Sequence, residues 1–368
     1  MRVAFISFDF GEYSVRLVSG MAEHASVRLF LPECEVKPYL HLLSDKVDLQ
    51  SFPKPRLRQP LRQMRLLRQI ANQIRDFDAD VVHLQSGHLW FSLAARMLGS
   101  RPLVLTVHDP SRHPGDEESA RSPDWVLDRA CFRAGQRIVH APQVKDALIK
   151  RLGIPESTVH VIPHILIGDD KELKDMPEEE HLILFFGRIW GYKGLEYLIR
   201  AEPFITAKFP NAKIAIAGVG EAFERYRNMM IHPERFIVHN EHVSDEKRAE
   251  LFRRASVIAL PYVEASQSGV IPIAYRFGKP VVATTVGGLP AMVDDGRTGF
   301  LVPPRDERAL ANAINTLLAD PALRRTFGEN GRHKINSECS AELVARQTRA
   351  VYRAALTGSG HVTDEVMA

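Results

Sequence analysis

Leu182-Ile183-Leu184-Phe185-Phe186-Gly187 is an unbroken apolar run closed by glycine, and it leads into Arg188-Ile189-Trp190-Gly191-Tyr192-Lys193-Gly194. A run without polar alternation fits a parallel strand buried on both faces, and the glycines beyond it permit a tight turn and close approach by a ligand. Outward from this stretch, short runs rich in valine and isoleucine alternate with longer amphipathic segments. In the first half strands are expected near Val3–Ser7, Val27–Phe30, Val81–Leu84, Leu103–Val107, Arg137–His140 and Val159–Ile162. In the second half they are expected near Leu182–Gly187, Lys213–Ala217, Phe236–His239, Val257–Leu260, Val281–Thr284 and Gly299–Leu301. Strands crossed over by helices form parallel sheets, so each half reads as a doubly wound, Rossmann-like α/β domain.

The chain has 368 residues, beyond the size of about 250–300 at which single cores stop growing. Two domains are therefore expected, 1–170 and 171–340, with 341–368 as a final helix and tail. The boundary lies between about Ile165 and Glu180, where Gly168-Asp169-Asp170-Lys171-Glu172 and Met176-Pro177-Glu178-Glu179-Glu180 carry no buried periodicity. The helical stretch from Ala341 to Leu356 could cross back to the first domain or pack on the second, and disorder is expected only after about Leu356. In such folds ligands bind at the carboxyl ends of the strands, so a cleft between two facing domains is the expected ligand site.

Apolar residues at 45% and charged residues at 25% describe an ordinary soluble protein, and a net charge of +3 is too small to argue for nucleic acid. The charge is uneven, however: seven basic residues and no acidic one lie between Lys54 and Arg75. Cys34, Cys131 and Cys339 are far apart, which indicates neither a zinc knuckle nor a disulfide framework and fits a reducing cytosol. The first residues run into a strand-like segment interrupted by Asp9, unlike a signal peptide, and no apolar run approaches the roughly eighteen residues of a membrane span.

Two segments point to a diphosphate. Ala265-Ser266-Gln267-Ser268-Gly269-Val270 enters a helix, and a helix start leaves backbone N–H groups and partial positive charge facing outward. The amides of Ser268, Gly269 and Val270 are candidate phosphate donors, with a plain N-cap as the alternative; Pro272 suits the first helical turn. Arg188 and Lys193, beside Gly187, supply cations at a strand end, against the alternative of a surface arginine paired with a carboxylate. Gly218 and Gly220 follow another strand, but Phe223 replaces the third glycine of a dinucleotide fingerprint, which disfavours a dehydrogenase. In the first half, Leu103-Val104-Leu105-Thr106-Val107 ends in His108-Asp109-Pro110, so His108 should emerge at the carboxyl end of a buried strand. His83, His88 and His164 show no ligand spacing and read as packed or capping residues.

The second half resembles the donor domain of the retaining family 4 glycosyltransferases, which have two Rossmann-like domains in the GT-B arrangement. The resemblance rests on Phe186-Gly187-Arg188 with Lys193-Gly194, Ala217-Gly218-Val219-Gly220-Glu221, Leu260-Pro261-Tyr262, Gly278-x-Pro280-Val281-Val282-Ala283, Gly287-Gly288-Leu289-Pro290 and Asp295-Gly296-x-x-Gly299-Phe300-Leu301-Val302, in order. The first half matches only loosely, through Asp80-Val81-Val82-His83 and Thr106-Val107-His108-Asp109. The resemblance implies a nucleotide diphosphate sugar bound mainly by the second domain, with Arg188 and Lys193 on the diphosphate. Two cations there stabilise charge developing on the leaving phosphate, so no metal is expected. It also implies that His108 lies against the donor sugar, as a positioning group, and that Gly11 marks an acceptor-side loop, although Phe8-Asp9-Phe10-Gly11-Glu12-Tyr13 holds one glycine and is nearly as well read as a simple turn. The nucleobase is expected near His239-Asn240-Glu241-His242-Val243.

The sequence departs from the family at its pair of glutamates eight positions apart. One register puts them at Ala265 and Ile273, while anchoring on Glu264 puts the second at Pro272, so the second glutamate is absent either way. Glu264 serves the first role with a one-residue shift, or else is a loop carboxylate; Gln267 and Ser266 are weak candidates for the ribose.

Leu57, Leu61, Met64, Leu67, Ile70 and Ile74 repeat at helical spacing, with Arg58, Arg62, Arg65 and Arg68 mainly on the other faces. The basic face is either simply solvated or attracted to anionic lipid. The reading is thus a cytoplasmic transferase, peripheral at the inner membrane face if that helix meets lipid, that moves a sugar to a hydroxyl of a glycan or glycolipid. A nucleotide-sugar epimerase of similar fold and a non-catalytic nucleotide-sugar-binding relative are the rivals.

Overall fold

The computed structural model describes residues 1–94, 97, 99–109, 124–168, 177–220 and 223–358. Residues 169–176 of the expected boundary loop, Glu221, Pro110 and the tail from residue 359 lie outside the described residues. Two compact units are present: one takes the described residues within Met1–Arg112, Ala120–Ile167 and Glu338–Ala368, the other those within Gly168–Ser337.

The first unit is built on seven parallel strands, β1 (Arg2–Ile6), β2 (Ser26–Pro32), β3 (Asp48–Phe52), β4 (Val81–Leu84), β5 (Leu103–Thr106), β6 (Gln136–Val139) and β7 (Val159–Val161). Their order is β3-β2-β1-β4-β5-β6-β7, so the direction of winding reverses between β1 and β4. Val3, Ala4, Phe5 and Ile6 have no exposed surface, as expected of a strand covered on both faces. β3 was not expected from the sequence. Its Asp48-Leu49-Gln50-Ser51-Phe52 is polar because it is an edge strand paired only with β2, anchored by Arg28 Nε to Asp48 Oδ2 at 2.6 Å.

The helix Ala341–Thr357 belongs to this first unit and packs on the helix Gly11–Met21. The approach is close: a Cβ on Gly20 would lie 2.7 Å from the carbonyl oxygen of Ala341. Val344, Val351 and Tyr352 join the core formed with Val3, Phe5 and Val15, and the Tyr352 hydroxyl meets His83 Nδ1 at 2.5 Å. The basic helix runs Pro60–Asp76, but its buried stripe is Gln63, Leu66, Leu67, Ile70, Ala71 and Ile74. Leu61, expected on the inner face, is 76% exposed, because it sits half a turn away from the inward positions 63, 66 and 70.

The second unit has six parallel strands, β8 (Leu182–Phe186), β9 (Lys213–Ala217), β10 (Phe236–His239), β11 (Val257–Leu260), β12 (Val281–Thr284) and β13 (Gly299–Val302). The order β10-β9-β8-β11-β12-β13 reverses between β8 and β11. Both sheets are therefore doubly wound, each with a switch point where two neighbouring loops diverge and leave room for a ligand.

Candidate functional site

In the second unit the loops leaving β8, β9, β11 and β12 are tied to one another by backbone contacts. Gly187 N donates to Ala217 O (2.9 Å), Ile189 N to Val219 O (3.0 Å) and Gly218 N to His239 O (3.0 Å). Gly218 has φ +146°, and a Cβ there would collide with the Gly187 carbonyl; one on Gly220 would collide with the Ile189 carbonyl. The Gly-x-Gly pair thus lets the loop carrying Arg188 lie directly on the loop after β9. On the other side, Val263 N and Glu264 N both reach Tyr192 O, at 2.8 and 3.3 Å, and Gly194 sits where a Cβ would strike the Pro261 carbonyl. Gly288 N donates to Ser266 O at 3.1 Å, and Thr284 Oγ1 to Tyr262 O at 2.6 Å. The segment from Pro261 to Gly269 is therefore held from both flanks, at the switch point of the sheet.

Tyr262, quoted above only as part of a motif, organises this rim. It is fully buried, its hydroxyl lies 3.2 Å from Ser268 Oγ, and Lys193 Nζ stands 3.8 Å above its ring centroid. Burial pushes the phenol up to about 12 against the pull of the Ser268 hydrogen bond and the nearby Arg188 charge, so the ring stays a neutral platform. A cation on an aromatic face is attracted by the ring quadrupole, which fixes where the lysine head sits. Lys193 is half-buried on the face of Tyr262, and Arg188 is exposed at the rim, near enough for its charge to favour the ionised phenol.

The helix Val270–Arg276 starts at Gly269, which is exposed with open space around its Cα. A Cβ on Gly187 would touch Val270 Cγ2 at 3.8 Å, so the arginine loop and this helix start are neighbours. Ser268 is buried and its Oγ accepts from Val270 N at 3.2 Å. Of the three expected amides, that of Val270 thus has an internal partner with which an anion competes. At seven residues the helix has a short dipole, and the two side-chain cations are the stronger attraction for a dianion. Glu264 and Gln267 are half-buried in the same segment, and Ser266 is buried. His239 ends β10 half-buried, with Asn240, Glu241 and His242 exposed beyond it.

In the first unit the ends of β5, β6 and β7 lead into histidines instead of cations. His108 is buried, follows β5, and has its Nε2 3.0 Å from Gln85 Nε2; its ring stacks on Phe10 at 4.1 Å. His140 is 4.9 Å from it and His164 5.2 Å from His140, ring to ring. Burial, then mutual repulsion, holds His108 well below the ordinary imidazole range and His140 near 3, and burial also lowers His164. His83, bonded to Tyr352 and to Thr106 Oγ1 (2.8 Å), is a packed core residue held near 3 by burial. His88 accepts from Phe91 N at 3.4 Å, a capping position. Gly11 is the first residue of its helix, and a Cβ there would collide with the Glu35 carbonyl; the left-handed turn falls on Phe10 (φ +62°). Arg58, Arg62, Arg65 and Arg68 are all exposed. Among the described residues no cluster of His, Cys, Asp or Glu could hold a metal, and no helix is long and apolar enough to cross a membrane.

Residues 180–320 match the family described as Glycosyl transferases group 1, and residues 11–165 that described as Glycosyltransferase Family 4. An uncharacterized glycosyltransferase of Methanocaldococcus jannaschii is 30% identical over 303 residues, spanning 76% of this chain and 77% of that one. Alpha-D-kanosaminyltransferase of Streptomyces kanamyceticus is 26% identical over 281 residues, 71% of this chain and 72% of that one. Among solved structures, Anabaena HepE in complex with UDP superposes with a TM-score of 0.73 at 19% identity, over 96% of this chain and 100% of that one. That likeness shows the fold, two Rossmann-like domains of GT-B type.

Proposed function

The chain belongs to the group 1 glycosyltransferases of family 4, and from that premise we propose that this transferase moves a sugar from a nucleoside diphosphate sugar to a hydroxyl of a glycan or glycolipid, with retention at the anomeric carbon. The observation that carries the donor is Lys193 seated on the buried Tyr262, with the loop of Arg188 beside the start of the helix Val270–Arg276. As the bond from the anomeric carbon to the phosphate oxygen breaks, negative charge gathers on that oxygen, and fixed cations lower the barrier because they bind it more strongly than the ground state. The acceptor oxygen then bonds to the same face of the anomeric carbon while its proton passes to the departing phosphate. His108 fits a positioning role, since a ring held neutral by burial is a poor proton acceptor. Glu264 is proposed beside the donor sugar, Ser268 and Gly269 amides on the phosphate, and Gln267 or Ser266 at the ribose. The complexes of Anabaena HepE with UDP and UDP-glucose make a uridine nucleotide the first donor to test.

The exposed Arg58, Arg62, Arg65 and Arg68, with Leu61 76% exposed among them, favour contact with anionic lipid, a peripheral placement at the inner membrane face. Purified protein incubated with a panel of nucleotide sugars, with and without cell-envelope acceptor, tests the whole reading. Acceptor-dependent nucleotide release and a labelled glycan are expected. Acceptor-free change of the sugar would mean an epimerase, and binding without turnover a non-catalytic relative.

A further inference from the structure

Gln85 follows β4 and is fully buried, and its main-chain N–H donates to Ile6 O at 2.9 Å, which fixes its backbone against β1. From there it meets His108 twice. Its side-chain Nε2 lies 3.0 Å from His108 Nε2. Burial holds the imidazole well below its ordinary range, and a hydrogen bond from the ring to the Gln85 main-chain carbonyl pulls the other way. A neutral imidazole has one N–H and one lone pair. With the N–H spent on the carbonyl, the second nitrogen can only accept, and His108 Nε2 faces an amide nitrogen that can only donate. The hydrogen then falls on Nδ1.

Tyr13, on the helix Gly11–Met21, supports the same orientation of the amide. Burial pushes its phenol up, and its hydrogen bond with the Gln85 side chain favours the ionised form, so the amide nitrogen is the donor there as well. Both amide hydrogens are thereby used, one on Tyr13 and one on His108. Gln85 Oε1 is left buried without a partner, which has a cost. Turning the amide would orphan the nitrogen instead and set an oxygen against the His108 lone pair. Phe10 completes the hold. Its ring stacks on His108 at 4.1 Å and 15°, which fixes the plane of the imidazole but permits a half-turn about its Cβ–Cγ bond. The half-turn would put carbon in place of nitrogen, and the two Gln85 contacts forbid it.

We propose that Gln85 is a positioning residue of the transfer reaction: acting through His108, it fixes that ring in one orientation and one neutral tautomer, with the hydrogen on Nδ1. Both ring nitrogens are then engaged, so His108 offers the sugar a rigid wall and takes no proton from the acceptor hydroxyl. The link to turnover rests on the place of His108 in the transferase site, whereas the tautomer rests on the contacts alone.

The test is long-range proton–nitrogen NMR of the full chain labelled with 15N-histidine at pH 7, which separates the two neutral tautomers from imidazolium. The His108 signals are those missing from His108→Asn. An Nδ1–H ring is expected in the unaltered protein, a result that needs no variant to fold. In Gln85→Leu the Nε2 signal should move toward that of an unbonded acceptor nitrogen. Turnover of the same variant, read with the panel sugar and cell-envelope acceptor that the unaltered protein uses, should fall at least about fivefold, as expected for one lost hydrogen bond and a loosened ring. Its UDP affinity should stay within about twofold. An Nε2–H ring or an imidazolium in the unaltered protein, an unmoved Nε2 signal in Gln85→Leu, or full turnover in that variant would each overturn the proposal. If the unaltered protein transferred no sugar of the panel, the transferase reading of the site would fail instead, and the spectra would still decide the tautomer.

Discussion

The two sheets share one winding, yet their strand ends hold opposite chemistry. In the second unit the switch-point loops carry Lys193 on a neutral tyrosine with the exposed Arg188 in the same rim, and glycine after glycine lets backbone rest on backbone. In the first unit the rim beyond β5, β6 and β7 is packed with His108, His140 and His164, uncharged because they are buried together. Topology places a site; side chains decide whether it attracts an anion or presents a neutral hydrogen-bonding wall.

Acid should break the comparison most strongly. The unfolded histidine rings take up protons from about pH 6.5 downward, while His83 and His140, held near 3, and His108, held well below its ordinary value, do not. Stability from these rings is therefore complete above about pH 6.5 and is lost as pH falls toward their folded values, by roughly 1.4 kcal/mol per unit for each ring that stays neutral. Hydrogen exchange followed from pH 7 to about 5 should show the first unit loosening before the second, whose described residues contain no such ring-to-ring histidine cluster. Parallel loss in both units would contradict the assignment.

A pair of glycines sharpens the contrast in backbone packing. Gly153 and Gly194 both have φ +65°, but a Cβ on Gly153 meets nothing within 4 Å, whereas on Gly194 it meets the Pro261 carbonyl. Gly153→Ala should cost about 1 kcal/mol, the ordinary penalty of the left-handed conformation. Gly194→Ala should cost about 3 kcal/mol or more, since backbone must also move. Urea unfolding of the two variants measures the difference, and similar costs would mean that the Tyr192–Glu264 contacts yield easily.

The smallest expected effect concerns the platform under Lys193. Tyr262→Phe keeps the ring and should leave donor affinity within about twofold, whereas Tyr262→Leu removes a contact worth about 1 kcal/mol and should weaken it about fivefold. Equal effects in the two variants, read by UDP titration, would assign the role to the Ser268 hydrogen bond instead.

Much of this was legible in the chain, and the exceptions have causes. Lys213–Ala217, Val257–Leu260 and Val281–Thr284 coincide with β9, β11 and β12 because inner strands covered on both faces are apolar almost throughout, and Phe236–His239 coincides with β10, an edge strand that is still apolar over three residues. β3 escaped because an edge strand needs no such pattern. Leu61 shows the limit of reading a periodic stripe, since Gln63 takes the inward place by bonding back to Pro55. Arg188 and Lys193 were visible as cations at a glycine-rich strand end, but Tyr262 beneath Lys193 was not, because nothing local in Leu260-Pro261-Tyr262 says what will stand on the ring. Gly218 and Gly220 resembled a ligand loop, and only coordinates reveal that each makes room for a neighbouring carbonyl.

The cation pair at the second switch point is most directly tested by the turnover of Lys193→Ala at saturating donor. A fall of at least about a hundredfold is predicted, the usual loss for one transition-state donor, with a smaller change in UDP affinity. A near-normal rate would contradict it and remove the lysine from the chemistry.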